Sequence, residues 1–239
     1  MLTPWLGYVK PLLLSSPTQI SVPGPSPIDS AEYATDYLEV KQYGAKTGSL
    51  RTQLQTENAL FWNDNVVRQY QIGARDAATR HGLDILESAR FFAVLNMGAA
   101  DSIIGCWRAK VESSYWRPST AIRTLDDGNP ATEPDPAWEP LVPNPPYPDY
   151  VSGHACLTGA SVTAFADTFG PTSLDLNLVS LVPGAGPARH YDSAAQLDTD
   201  TMNGRIWLGI HFRKAMTDGN ALGHKVSQYG LDHFFQPSD

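Results

Sequence analysis

The chain opens without any periodicity. Residues 1–28 mix short apolar groups with Pro and Ser, with five prolines between Pro4 and Pro25 and another at Pro27, which predicts an extended arm laid over the body. From there the apolar positions take a helical period. Asp29 with Glu32 has the form of a capping box and opens a helix to about Tyr43, followed by a Gly/Thr/Ser loop over 44–52. Gln53–His81 reads as one long helix, or as two with a break near Asn63, Asp64 and Asn65, and Gly82 supplies the stop. Leu83–Val111 is a second long helix with Leu86, Ala89, Phe92, Ala93 and Asn96 on one face. Its second half is apolar around most of its circumference, which predicts a central place in a bundle.

A short helix is expected over Arg117–Leu125. Asp126–Val151 is rich in proline, with neither helical period nor strand alternation, so it reads as a long ordered loop of the kind that usually carries function. Gly153–Phe169 is a helix of small and apolar residues stopped by Gly170 and Pro171. Residues 171–192 form another loop, and Ser193–Ile210 and Arg213–Phe234 close the chain as helices. No repeat and no convincing strand pair appears. The expected class is all-α, a helical bundle with long ordered loops, organised as the arm (1–28) and one helical domain (29–239).

The chain has 239 residues with 42% hydrophobic and 18% charged positions, enough for a sizeable core. A net charge of −8 argues against a nucleic-acid partner, which would need a basic face. Cys106 and Cys156 lie in apolar helical stretches and read as buried thiols, with no spacing for a disulfide framework or a zinc site. The first residues lack a basic segment ahead of an apolar core, so no signal peptide is expected. Asn96 and Asp101 interrupt the longest apolar run, Phe91–Trp107, so the chain reads as soluble with no membrane span. The apolar segment Trp5–Leu14 is expected to pack on its own body, with a homo-oligomer contact as the alternative.

Against this acidic background three clusters of cations and histidines stand out. Lys110 and Arg117 are seven apart among Trp107, Tyr115 and Trp116, and Pro118 predicts that the helix ends between them. Glu112 is the only close carboxylate. Ser152, Gly153 and His154 stand at the start of this helix of small and apolar residues, where unpaired N–H groups favour an anion. Arg205 and His211 are six apart, about 120° on an ideal helix, with Gly204 and Gly209 permitting close packing or a break. Taken singly, these are surface charges, an N-cap and a core histidine. Together, three partly buried cations need a shared anion, and guanidinium groups grip a tetrahedral oxyanion in pairs. His81, His190, His224 and His233 lack such company and read as surface or structural.

The pattern K-x6-R-P, then S-G-H, then R-x5-H resembles the superfamily of vanadium-dependent haloperoxidases and type 2 phosphatidic acid phosphatases. Phe91–Arg123 and Gly204–Arg213 are similar to its soluble haloperoxidase-like branch. The resemblance implies that Lys110, Arg117, Arg205, Ser152 and the Gly153 N–H bind the oxygens of vanadate or phosphate. It implies His211 as vanadium ligand or as the nucleophile that forms a phosphohistidine, His154 as acid/base, and Tyr147 in the halide or substrate pocket. Two positions depart from the family pattern: Val151 stands where P-S-G-H has proline, and Ala215 stands where many relatives have an Asp that orients the last histidine. The partner of His211 is then expected to be a backbone carbonyl or Asp218.

The leading expectation is a vanadate-dependent haloperoxidase acting on hydrogen peroxide, halide and an organic acceptor. The alternatives are a histidine-nucleophile phosphatase on phosphate esters, and a relative that binds an anion without turnover. Phosphate and vanadate are near-isosteric, so these residues do not separate the first two.

Overall fold

A computed structural model describes residues 1–124 and 126–236. It is all-α: α1 (Ala31–Tyr43), α2 (Gln53–Phe61), α3 (Val66–Arg80), α4 (Ile85–Ser113), α5 (Pro118–Arg123), α6 (Gly153–Phe169), α7 (Ala194–Trp207) and α8 (Arg213–Phe234). The centre is built by α4, α6 and α8 packed on one another. Backbones approach closely because small residues line the α6–α8 crossing. A Cβ added at Gly159 would lie 2.2 Å from the Asn220 carbonyl oxygen, and one at Gly223 would lie 2.0 Å from that of Cys156. The small-residue composition of α6 is thus a packing requirement. No helix among the described residues is long and apolar enough to cross a membrane.

Several local expectations need correction. The first helix is capped by Ser30, whose side chain accepts from the Tyr33 N–H, in place of a box built on Asp29. The 53–81 segment takes the two-helix alternative, broken where expected, with Asn65 capping the second helix. The loop over 171–192 contains a short antiparallel pair, β1 (Leu176–Leu178) and β2 (Arg189–Tyr191). Each strand has only three residues, too few for alternation to show in the sequence. The predicted end of the fifth helix at Leu125 lies outside the described residues. On α4 the predicted face is only partly turned inward, with Phe92 and Ala93 half-buried. Leu86 is 76% exposed, Ala89 and Asn96 are exposed, and Phe91, Val94, Leu95, Gly98 and Asp101 are buried. The stripe that packs on α6 and α8 is the buried one.

Asp101 sits on that buried stripe and explains the arm. Its carboxylate accepts the N–H groups of Leu12 and Leu13 at 2.7 Å each and of Leu14 at 2.9 Å. Leu13 and Leu14 are buried against the body, while Trp5, Tyr8 and Leu12 are exposed. A 3-10 turn over Pro4–Tyr8 lies on α4, with the Trp107 indole N–H donating to the Leu2 carbonyl and the Thr3 hydroxyl. The polar interruption of the longest apolar run is therefore the anchor of the arm.

Two stability outcomes follow. Asp101→Ala strands three N–H donors and should cost about 3 kcal/mol of unfolding free energy in urea melts, with Asp101→Asn losing less. Gly223→Ala should cost roughly 3 kcal/mol, because the added carbon meets backbone and not a movable side chain. A change of under about 0.5 kcal/mol in either would contradict the corresponding packing account.

Candidate active site

The predicted site residues sit at helix ends or in the links between helices. Lys110 lies in the last turn of α4, and Arg117 is the extended residue that caps α5. Ser152 caps α6 and Gly153 is its first residue, so the Gly153 N–H has no partner within the helix. Arg205 is in the last turn of α7. His211 does not continue that helix. α7 ends at Trp207, Gly209 turns the chain with a φ of 79°, and His211 lies in the extended link before α8. The glycine thus supplies a break, and the 120° separation of an ideal helix does not apply. Tyr147 comes from the proline-rich loop.

These segments meet in the interior. Arg117 Nη1 lies 3.1 Å from His211 Nε2 and donates to the Ile210 carbonyl at 2.6 Å, while its Nε donates to the Tyr147 carbonyl at 2.9 Å. Lys110 Nζ donates to the carbonyls of Pro148 (2.7 Å) and Asp149 (2.9 Å). The Tyr147 ring faces both cations, 5.2 Å from Lys110 Nζ and 5.0 Å from Arg117 Cζ, and stands 5.3 Å from the Trp107 ring. Trp107 also sets the start of α6, since a Cβ on Gly153 would come within 3.1 Å of it. Arg205 Nη1 donates to the Trp62 carbonyl at 2.7 Å, and His154 Nε2 lies 3.1 Å from the Asp64 carbonyl.

Burial decides the charge states. Lys110 has no exposed surface, and loss of solvent pushes its pKa down to about 8 despite nearby negative groups. Burial takes Arg205 down to about 9, with Arg117 adding repulsion, and lowers Arg117 as well. Both histidines fall well below the ordinary range, first by burial and then by the cations around them. Arg205 is the largest charge on His154, and Arg117 the largest on His211. Both are neutral at physiological pH. His154 Nε2 faces a carbonyl and must carry the hydrogen, which leaves Nδ1 as an acceptor.

The residue that sequence reasoning missed is Asp149. Its Oδ1 accepts from His211 Nδ1 at 2.7 Å, and it lies 3.9 Å from Arg117 Nη1. Burial pushes its pKa up to about 7, with Arg117 and Lys110 pulling the other way. The bond fixes the proton of His211 on Nδ1 and turns the lone pair of Nε2 toward the cations. Asp218 does not fill this role, because it takes the Tyr150 hydroxyl at 2.7 Å and Lys214 at 2.9 Å. Ala215 is buried and gives its carbonyl to the Ser152 N–H, so an acid there is replaced by one on the opposite loop. Glu112 pairs with Arg108 on the surface. The carbonyls of Trp62 and Asp64, in the turn between α2 and α3, were also not foreseen. The available signal was an Asp between Pro148 and Tyr150, three before Ser152.

The remaining histidines keep a structural reading. His224 bridges Asp198 and Thr163, His81 meets Asp175, His190 meets Asn177 and Asp192, and His233 stacks on Tyr229.

The donor set suits a tetrahedral oxyanion. Arg117 Nη2 and Arg205 Nε are buried polar atoms without partners among the described residues. Three cations repel one another around a neutral imidazole, with Asp149 as the buried counter-charge in contact with the site. Buried donors of this kind require an acceptor, and a multiply charged oxyanion offers several at once.

Comparison with known proteins bears on this site directly. A family model described as the VCPO second helical-bundle domain matches residues 90–238. Vanadium chloroperoxidase of Curvularia inaequalis is 28% identical over 230 residues, covering 71% of this chain and 37% of that protein. The fold is similar to a bacterial vanadium-dependent iodoperoxidase, with a TM-score of 0.82 at 24% identity, covering 100% of this chain and 59% of that one. It is also similar to a holo-type bacterial vanadium-dependent chloroperoxidase, with a TM-score of 0.75 at 16% identity, covering 96% of this chain and 54% of that one. The chain thus spans little more than half the length of these structures, and 37% of the curated relative. The matched region begins ahead of Lys110 and runs past His211, so all three clusters fall within it. The chain therefore belongs to the vanadium haloperoxidase superfamily and carries its second helical-bundle domain.

Proposed function

We propose that this chain carries the active site of a vanadate-dependent haloperoxidase, which oxidises halide with hydrogen peroxide to a hypohalous species. The observation that supports this most is the state of His211. It is neutral, its Nδ1–H is committed to Asp149, and its Nε2 lone pair faces Arg117 beside unpaired guanidinium donors. That is the arrangement a ligating histidine needs, with its other nitrogen held by a carboxylate.

In this reading Lys110, Arg117, Arg205, the Ser152 hydroxyl and the Gly153 N–H hold the oxygens of vanadate, and His211 Nε2 is the vanadium ligand. Bound vanadate supplies Lewis acidity that makes peroxide electrophilic toward halide without a redox change at the metal. His154 accepts the proton of entering peroxide at Nδ1, since Nε2–H is tied to the Asp64 carbonyl. Lys110 adds positive charge to the reacting oxygen from a water-poor setting where it counts for more. Tyr147 covers Lys110 and Arg117 and shapes the space open to halide or an organic acceptor. The same donors suit a phosphate ester with His211 as nucleophile, and assay decides between the two.

Protein loaded with orthovanadate should oxidise bromide or iodide with peroxide, and His211→Ala should abolish this. Hydrolysis of an aromatic phosphate ester without halide oxidation would replace the proposal with the phosphatase reading. Loss of both activities in the wild type would leave an anion-binding relative.

Asp149→Asn should lower halide oxidation roughly 10–100-fold with an unchanged far-UV spectrum, because the orientation and basicity of His211 are lost. Activity within twofold of wild type would remove Asp149 from the site.

A pH dependence follows from Lys110. Its pKa, lowered by burial to about 8, rises when an anion pairs with it, so binding takes up a proton. Affinity for tungstate, which stays dianionic over this range, should therefore fall as pH rises above about 8, measured by calorimetry. A flat profile between pH 7 and 10 would show that Lys110 does not pair with the anion.

A further inference from the structure

The C-terminal halves of α6 and α8 and the start of α4 border an open cleft of about 680 Å³, at the other end of the bundle from the cationic interior. That volume is within the range of small-molecule sites. The cleft is apolar at Val162, Ala166, Leu231 and Phe235, and both Thr163 and His224 line it. The bonds that make His224 a bridge between helices also give it a second capacity. Its Nε2 lies 2.9 Å from Asp198 Oδ2 on α7, and its Nδ1 lies 2.8 Å from the Thr163 hydroxyl on α6. The other Asp198 oxygen accepts from Asn220 Nδ2 at 2.6 Å, so both ends of the carboxylate are held. A carboxylate only accepts, so in the neutral imidazole Nε2 carries the hydrogen and the Nδ1 lone pair faces Thr163. The Thr163 hydroxyl has two acceptors within reach, this nitrogen and the Gly159 carbonyl at 2.9 Å.

We infer that Thr163, His224 and Asp198 form a second, hydrolytic site in which the Thr163 hydroxyl is the nucleophile for small carboxylic esters. Hydroxyl, imidazole and carboxylate stand in hydrogen-bond reach in the order that acyl transfer requires. The Thr163 oxygen attacks the ester carbonyl carbon, and its proton passes to His224 Nδ1. Asp198 stabilises the imidazolium through Nε2–H. The C–O bond to the alcohol breaks, and the proton on Nδ1 leaves with the alcohol oxygen. Water then attacks the acyl group on Thr163 and gives a proton to Nδ1. The carboxylic acid departs as that proton returns to the Thr163 oxygen, so ester and water become acid and alcohol. Gln228, one turn beyond His224 on α8, also lines the cleft. One of its amide hydrogens goes to Asp232 at 2.8 Å, and the second is available to the carbonyl oxygen as it gains charge. The apolar wall suits a short acyl chain. The site shares no residue with the proposed vanadate pocket and does not rest on that reading.

The test uses the full chain without vanadate or peroxide, so its outcome is independent of halide oxidation. p-Nitrophenyl butyrate should be hydrolysed above the buffer rate, and Thr163→Val should lower that enzymatic rate about 100-fold. Thr163→Ser, which keeps the hydroxyl, should retain it. Asp198→Asn should lower kcat with KM unchanged, because the tautomer of His224 is lost. A fluorophosphonate probe should label the wild type, with mass spectrometry placing the adduct on Thr163, a result that needs no variant to fold. Hydrolysis that survives in Thr163→Val and vanishes in His224→Ala would show the imidazole acting alone and overturn the inference. A wild type that does not hydrolyse the ester, or an adduct absent from Thr163, would overturn it as well.

Discussion

Three cations buried around one neutral histidine set the terms for the rest of this structure. Lys110, Arg117 and Arg205 are each less than a tenth exposed, and the Asp149 carboxylate reaches Arg117. Removing such groups from water costs several kcal/mol apiece unless hydrogen bonds replace the solvent. Here the replacement comes from main-chain carbonyls: Pro148 and Asp149 for Lys110, Tyr147 and Ile210 for Arg117, and Trp62 for Arg205. Every one belongs to a loop or helix end, where carbonyls are not committed to a helix.

That requirement accounts for the long proline-rich loop. A carbonyl-rich strand without helical hydrogen bonds must pass beside Lys110 and Arg117, and a segment dense in proline cannot spend its carbonyls on a helix of its own. The same loop delivers Asp149 to His211 and Tyr147 to the cations, then ends at Ser152 as the cap of α6. The crossing of α6 and α8 on glycines serves the same end. It brings the Ser152 backbone against Ala215 and leaves the first N–H groups of α6 near the site.

How much of this was legible depends on sequence distance. The three clusters could be read because each carries its chemistry within a few residues and because cations without nearby acids call for an anion. Helix ends at Gly170 and before Pro118 were marked by residues with local causes. Asp149 was not legible as the partner of His211, because 62 residues separate them and nothing in the spacing links a loop acid to that imidazole. The outward turn of Leu86 and Ala89 was lost for a related reason. α4 carries apolar residues on more than one side, and only packing against α6 and α8 selects the buried stripe. Asp101, read as a break in an apolar run, holds the arm through three backbone N–H groups that no local pattern announces.

The central claim is that the cationic interior is completed by a tetrahedral oxyanion. A ligand that binds the folded state raises its stability by RT ln(1 + [L]/Kd), about 2.7 kcal/mol at one hundred times Kd. The most direct measurement is the thermal midpoint as orthovanadate or phosphate is titrated, for the wild type and for Arg205→Ala. The account predicts a midpoint that climbs with the logarithm of anion concentration in the wild type and stays nearly flat in the variant. A wild-type midpoint indifferent to both anions, or an equal rise in the two proteins, would contradict it.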